Sequence, residues 1–179
     1  RPDLTPPEGW SLPLIHSVNR VYQHRLSPDG ERIAFIWNRE EQADIYVMPA
    51  KGGWPSRVSF TRVSTPYWCD RAPQWSPDGT QLLLSCPVDA HVKNQSELAV
   101  LSLAGGQLRR LTATLDRSFS RGIWRADSRA VVAAAPEGTT SAVWEIPLAG
   151  APQPRNTAGI GVGDLELAPD GALVFIGTQ

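Results

Sequence analysis

Lysine is scarce in this chain. Only Lys51 and Lys93 occur, and the arginines that carry the remaining positive charge are scattered. With a formal net charge of −1 there is no basic stripe to neutralise phosphates, which argues against nucleic acid as the main partner. Long apolar runs are lacking too. None approaches the ~18 residues that a spanning helix needs, so no membrane span is expected. The chain starts at Arg1 rather than Met, and no signal-peptide core follows. The sequence is therefore expected to begin inside a longer chain or after processing.

Several chemistries lack their residues. Histidine is limited to His16, His24 and His91, in no metal-binding or catalytic spacing. No Gly-x-Ser-x-Gly sequence is present, and a hydrolase needs that strained strand-to-helix turn to present its serine. The clusters "AKGG", "LAGG" and "GIGVGD" lack the lysine or following helix of a phosphate loop and read as turns. No cofactor, metal site or catalytic residue is expected in the chain itself. Cys69 and Cys86 lie 17 apart. They could bridge neighbouring strands or stand as reduced thiols, and their state is left open. Helical periodicity is missing throughout.

What remains is 41% apolar and 20% charged, enough to bury a core, and it is repetitive. "LSPDGERIAF" from Leu26 returns as "WSPDGTQLLL" from Trp75, "WRADSRAVVA" from Trp124 and "LAPDGALVFI" from Leu167. The turns are read as beginning at Ser27, Ser76, Ala126 and Ala168, at spacings of 49, 50 and 42 residues. A second landmark keeps step: "DIYVMPAKGG" from Asp44, "ELAVLSLAGG" from Glu97 and "AVWEIPLAGA" from Ala142. Arg57, Arg110 and Arg155 then follow Gly52, Gly105 and Gly150 by five residues each. "ERIAFIWN", "TQLLLSC" and "DIYVMP" are short β-leaning runs bounded by turn residues. Proline presets φ at the second turn position and glycine takes the positive φ that closes the hairpin. Each unit is thus a four-stranded antiparallel meander, the size of one propeller blade.

The fold class is all-β: a partial β-propeller of three and a half blades. Blades are expected at about 22–60, 73–112 and 122–157, with an incomplete one at 165–179, after a proline-rich lead-in at 1–20 anchored by "LPLI". Closed propellers use about 4–8 blades. An apolar face is therefore expected open at each end, inviting a homo-oligomer.

The stretch "LSPDGERIAFIWNREEQADIYVMPAKGG" resembles the repeat shared by TolB and the N-terminal propeller domain of the prolyl oligopeptidase family of serine peptidases, which includes dipeptidyl and acylaminoacyl peptidases. The resemblance runs from Val21 to the end. The lead-in "LTPPEGWSLPLIHSVNRVYQHRLSPDG" and the long insert "PVDAHVKNQSE" favour the peptidases. It implies a non-catalytic, substrate-gating propeller with a C-terminal α/β-hydrolase domain as its partner in the full-length chain, acting on short peptides. The alternative it leaves is a TolB-like module docking protein partners in an envelope-associated complex. The compartment stays open with it: cytoplasmic for a peptidase, periplasmic for a TolB-like module.

Individual residues carry competing readings. Asp29, Asp78 and Asp170, with Asp127 one place early in its own turn, form either a carboxylate cluster or turn chemistry repeated once per blade. Repetition in separate hairpins favours turns built by Ser27, Pro28, Asp29 and Gly30, by Ser76, Pro77, Asp78 and Gly79, and by Pro169, Asp170 and Gly171. Arg129 is read at a glycine position, so the third turn is expected to be of another type or strained. Glu40 and Glu41 look like the glutamate pair with which dipeptidyl peptidases hold a substrate amine, although a solvated turn is the plainer reading. Trp75 and Trp124 recur and are expected between blades. Trp54 and Trp68 have no repeat partner and are the candidates for a contact surface.

Overall fold

The computed structural model describes residues 15, 17, 21–39, 42–59, 73–87, 95–119, 121–138, 140–155, 161–168 and 172–178. No helix occurs among them. Blade 1 comprises β1 (Val21–Leu26), β2 (Arg32–Arg39), β3 (Gln42–Pro49) and β4 (Ser56–Arg57). Blade 2 comprises β5 (Gln74–Trp75), β6 (Gln81–Pro87), β7 (Ser96–Ser102) and β8 (Leu108–Arg110). Blade 3 comprises β9 (Gly122–Trp124), β10 (Ala130–Glu137), β11 (Thr140–Pro147) and β12 (Gln153–Arg155). A hairpin of β13 (Gly161–Leu167) and β14 (Leu173–Thr178) begins a fourth blade, four residues before the expected Leu165. Each sheet keeps its strands in sequence order and antiparallel. First strands adjoin: β1 lies against β5, and β9 against β13.

The blades stack face to face because both faces of their central strands are apolar. Ala34, Ile36 and Ile45 of blade 1 meet Leu82, Leu84, Ala99 and Leu101 of blade 2. The other face of blade 2, with Leu83, Leu98 and Val100, meets Val131, Ala133 and Ile146 of blade 3. Val132 and Val143 then meet Leu165 of the fourth blade. Burial on both sides explains why "LLL" from Leu82 and "AVVAAA" from Ala130 read as unbroken apolar runs instead of alternating ones. Each fully buried leucine contributes about 1.5–3 kcal/mol.

The expectation of an open face at both ends is corrected at blade 1. Phe35, Tyr46 and Met48 are buried on its outer face, with Ile15 and the partly buried Ile33 and Trp37 packed against them. The Trp37 indole also donates to Ser17 Oγ at 3.1 Å. Ile15 and Ser17 of the lead-in thus lie against that face.

Candidate functional site

The Ser-Pro-Asp-Gly turns join the first two strands of blades 1 and 2. Ser27 N donates to Arg32 O (2.8 Å) and Gly30 N to Ser27 O (2.9 Å); Ser76 and Gly79 repeat this with Gln81 and Ser76. Gly30 and Gly79 sit at φ 73° and 69°, where a Cβ is costly. Ser27 Oγ donates to Asp29 Oδ1 at 2.5 Å and accepts from Arg32 N at 2.9 Å. Asp29 Oδ1 also accepts from Glu31 N at 3.0 Å. In blade 2 Ser76 Oγ donates to Asp78 at 2.6 Å and accepts from Gln81 N, while Thr80 N and Oγ1 donate to the same carboxylate. Pro28 and Pro77 stand exposed between them.

This geometry decides what the Ser–Asp pairs can do. The Ser27 hydroxyl, then the Glu31 amide, hold the Asp29 carboxyl below the usual carboxylate range. The Ser76 hydroxyl, then Thr80, do the same for Asp78. Such carboxylates are weak bases, unsuited to taking a proton near neutral pH. The serine oxygens are buried and hold the turn closed.

The third turn corrects the expected register. Arg125 N donates to Ala130 O and Ser128 N to Arg125 O, while Arg129 N donates to Asp127 Oδ1 at 3.0 Å. The turn begins at Arg125, not Ala126. Asp127 is therefore in register with Asp29 and Asp78, and the first three turns are spaced by 49 residues twice. The glycine position belongs to Ser128, at φ 57°, and not to Arg129. The turn type is unchanged, and the left-handed serine carries the strain. Its Oγ accepts from Asp78 N of the neighbouring hairpin at 3.0 Å, which helps hold it there. The fourth turn is a residue shorter. Leu167 pairs with Leu173, whereas Trp75 pairs with Leu82, and Ala168 N donates to Ala172 O. Pro169, Asp170 and Gly171 lie outside the described residues.

The hairpins of blades 1 to 3 are laced into one rim. Trp75 Nε1 donates to Arg25 O of blade 1 (2.9 Å) and Trp124 Nε1 to Gln74 O of blade 2 (3.2 Å). Arg32 donates to Gly79 O at 2.8 Å and its guanidinium lies 4.8 Å from the Trp75 ring centre. Gln74 Nε2 donates to Gly122 O at 3.0 Å. Within each blade the second loop is tied to the first hairpin: Ala50 N to Glu31 O, Leu103 N to Thr80 O and Leu148 N to Arg129 O. Arg32, Gln74 and Ser128 were not singled out by sequence reasoning. The signal was there: each tryptophan stands 50 residues after the residue whose carbonyl it meets.

The repeated arginines pair with acids of their own blades. Arg57 meets Asp44 at 2.7 Å and Arg110 meets Glu97 at 3.3 Å. Arg155 pairs with Glu145, which also meets Arg125 at 3.4 Å. Blade 3 differs by a register slip. Arg57 and Arg110 stand opposite Tyr46 and Ala99, but Arg155 stands opposite Val143, not Trp144. One residue of slip moves a side chain to the other face of a sheet. The acid has moved with it, from the Asp44 and Glu97 position, here Ala142, to Glu145.

Trp54 is 93% exposed on the loop between β3 and β4. Glu40, Glu41 and Trp68 lie outside the described residues; the flanking strands end at Arg39 and resume at Gln42. His24 is exposed on β1. Cys86 is a buried thiol in the core between blades 1 and 2, and Cys69 lies outside the described residues. Among the described residues no group of three His, Cys, Asp or Glu side chains could hold a metal, and no helix is long and apolar enough to cross a membrane.

Four-stranded meanders stacked face to face, tied by one hairpin motif per blade, define a β-propeller. The chain has the fold of TolB and of the propeller domains of prolyl oligopeptidase-type peptidases. It is similar to TolB from Acinetobacter baumannii, with a TM-score of 0.64 and 17% identity over 90% of this chain and 39% of that one. It is similar also to a puromycin-hydrolysing peptidase from Mycobacterium tuberculosis, with a TM-score of 0.67 and 16% identity over 89% of this chain and 28% of that one. In sequence it is 37% identical over 78 residues to the Bacillus subtilis uncharacterised peptidase YuxL, a match spanning 43% of this chain and 11% of that protein. No family model matches the chain.

Proposed function

We propose that the chain belongs to the non-catalytic propeller of a serine peptidase, which admits short peptides to a hydrolase domain elsewhere in the same polypeptide. The observation that carries this reading is the 37% identity to a protein named as a peptidase. The turn serines fit a supporting role, since their hydroxyls are buried and committed to Asp29 and Asp78.

The test uses the full-length gene product. Its reading frame should encode Gly-x-Ser-x-Gly followed by Asp and His, and the purified protein should cleave a short peptide faster than the same sequence inside a long chain. Loosening the stack with Trp75→Ala should narrow that difference. A frame without a hydrolase domain sinks the proposal. The TolB-like fold supports the second reading, a module that binds protein partners. A frame preceded by a signal peptide and ending within the usual 4–8 blades would favour it. The chain itself is expected to hydrolyse no peptide; turnover by the pure chain, lost on inhibition of serine nucleophiles, would overturn that.

A further inference from the structure

The face that each blade turns to the next can be compared position by position. Val47 pairs with Ala34 in blade 1, and Val100 with Leu83 in blade 2. Both valines pack in the apolar seam with the following blade. In blade 3 the equivalent place, opposite Val132, belongs to Glu145. Val58 N and Leu111 N donate to Ile45 O and Leu98 O, and their side chains pack in the same two seams. The equivalent place in blade 3, opposite Val143, belongs to Arg155. Arg125 stands where the earlier turns have Ser27 and Ser76. Three positions that are apolar or small in two blades are thus charged together in the third. They meet as one cluster, because Glu145 binds both Arg125 and Arg155.

This cluster lies on the side of the fourth blade. Glu145 is two residues from Val143 on β11 and shares its face, and Val143 packs with Leu165 of blade 4. In each earlier seam the third strand of the later blade supplies part of the cover: Ala99 and Leu101 over blade 1, Ile146 over blade 2. The fourth blade here comprises β13 and β14, and the Arg125 and Arg155 side chains are 39% and 57% exposed. Among the described residues two guanidinium groups face one carboxylate, an excess of one positive charge. A strand laid over the cluster would take that charge out of water, at a cost that apolar packing does not repay. A second carboxylate removes the excess, and it matches the planar fork of an arginine.

We infer that the third strand of the fourth blade, in the polypeptide following β14, brings an Asp or Glu side chain against Arg125 and Arg155. Blades 3 and 4 then join through an ion-paired seam at a place where the first two seams are apolar. Both readings of the function need the polypeptide to continue through this blade. This chain covers 39% of the Acinetobacter TolB and 28% of the puromycin-hydrolysing peptidase, so both relatives have chain to spare for such a strand. The test first reads the frame beyond Gln179 for an acid on the blade 3 side of that strand. In the full-length protein, Arg155→Glu and the strand's acid changed to Arg should each speed amide exchange along β13 and β14 by about tenfold. The two changes together should return it towards the parent's rate. Salt should speed the same exchange in the parent and less so in the milder Arg155→Gln, which serves if the charge reversals do not fold. Additive effects of the two reversals would overturn the inference. So would protection of β12 that appears only with added inorganic phosphate, which would make the cluster a site for a free anion. A frame with a hydrolase domain but no such acid sinks the inference and leaves the proposed function standing; the acid without a hydrolase domain does the reverse.

Discussion

Gly122 shows how closely two blades approach. A Cβ there would lie 2.9 Å from Leu98 Cδ1 and 3.2 Å from Leu83 Cδ2 of blade 2, and 2.6 Å from Val131 Cγ1 of its own blade. Gly122→Ala should therefore cost about 1–3 kcal/mol through overpacking, read as a lower urea midpoint at unchanged slope. Gly30→Ala meets nothing within 4 Å, so its cost is that of φ 73° alone, about 1–2 kcal/mol. The turn aspartates predict an acid limb. Asp29 and Asp78 have folded values below the unfolded one, so their contribution is complete above an unfolded pKa of about 3.9. It is lost as pH falls through the depressed folded values. Ser76→Ala removes the hydroxyl that does most to hold the Asp78 carboxyl low, so its urea midpoint should fall less steeply than the parent's from pH 5 to pH 2.5. An unchanged slope would show that the hydroxyl does not hold the carboxylate ionised.

At the scale of the element, the tryptophans act through one atom each. Trp75→Phe and Trp124→Phe keep an aromatic ring but delete the donor to the preceding blade, at a cost of about 1 kcal/mol each. The repeat also shows where that tie is missing. Leu167 occupies the tryptophan position of the fourth blade, and the carbonyl equivalent to those of Arg25 and Gln74 is that of Ile123. Leu167→Trp should give this carbonyl a donor and slow amide exchange along β13 and β14; exchange at the parent's rate would count against the tie as a transferable device. Much of this was legible beforehand. Spacing and turn residues located each blade because local turn chemistry does not depend on distant contacts. The sequence hides the start of the third turn because Ser128 occupies a left-handed position normally given to glycine, and its hydrogen bond with Asp78 comes from another blade. The face swap of the Arg155 pair was equally hidden. Arg155 keeps its five-residue spacing in sequence while its pairing partner shifts.

For the whole molecule, the two ends differ. Ile15 of the lead-in lies against blade 1, yet Leu26 is 57% exposed where Trp75 and Trp124 are buried under a neighbouring blade. At the other end Val174 of β14 is 52% exposed. We propose that the chain prepared alone pairs with a second copy through these two positions. Light scattering should show mass rising towards a dimer with concentration, and a clean monomer at high concentration would dismiss the idea. The full-length protein should lose this behaviour if further blades cover the same surfaces.

The sequence by itself determined the blade, its four-strand order and its turn chemistry, because those follow from short-range sterics, apolar runs and hydrogen bonds a few residues apart. It also supplied the resemblance from which a propeller of this type was expected. Only the tertiary structure decided how the blades are tied. The Trp75 and Trp124 donors, Arg32 against Gly79, the Ser128–Asp78 bond and the clearance at Gly122 all join residues 47–50 positions apart or pack them across blades. No local rule specifies such contacts. They exist because stacking brings apolar faces together and leaves the hairpin ends within hydrogen-bond reach.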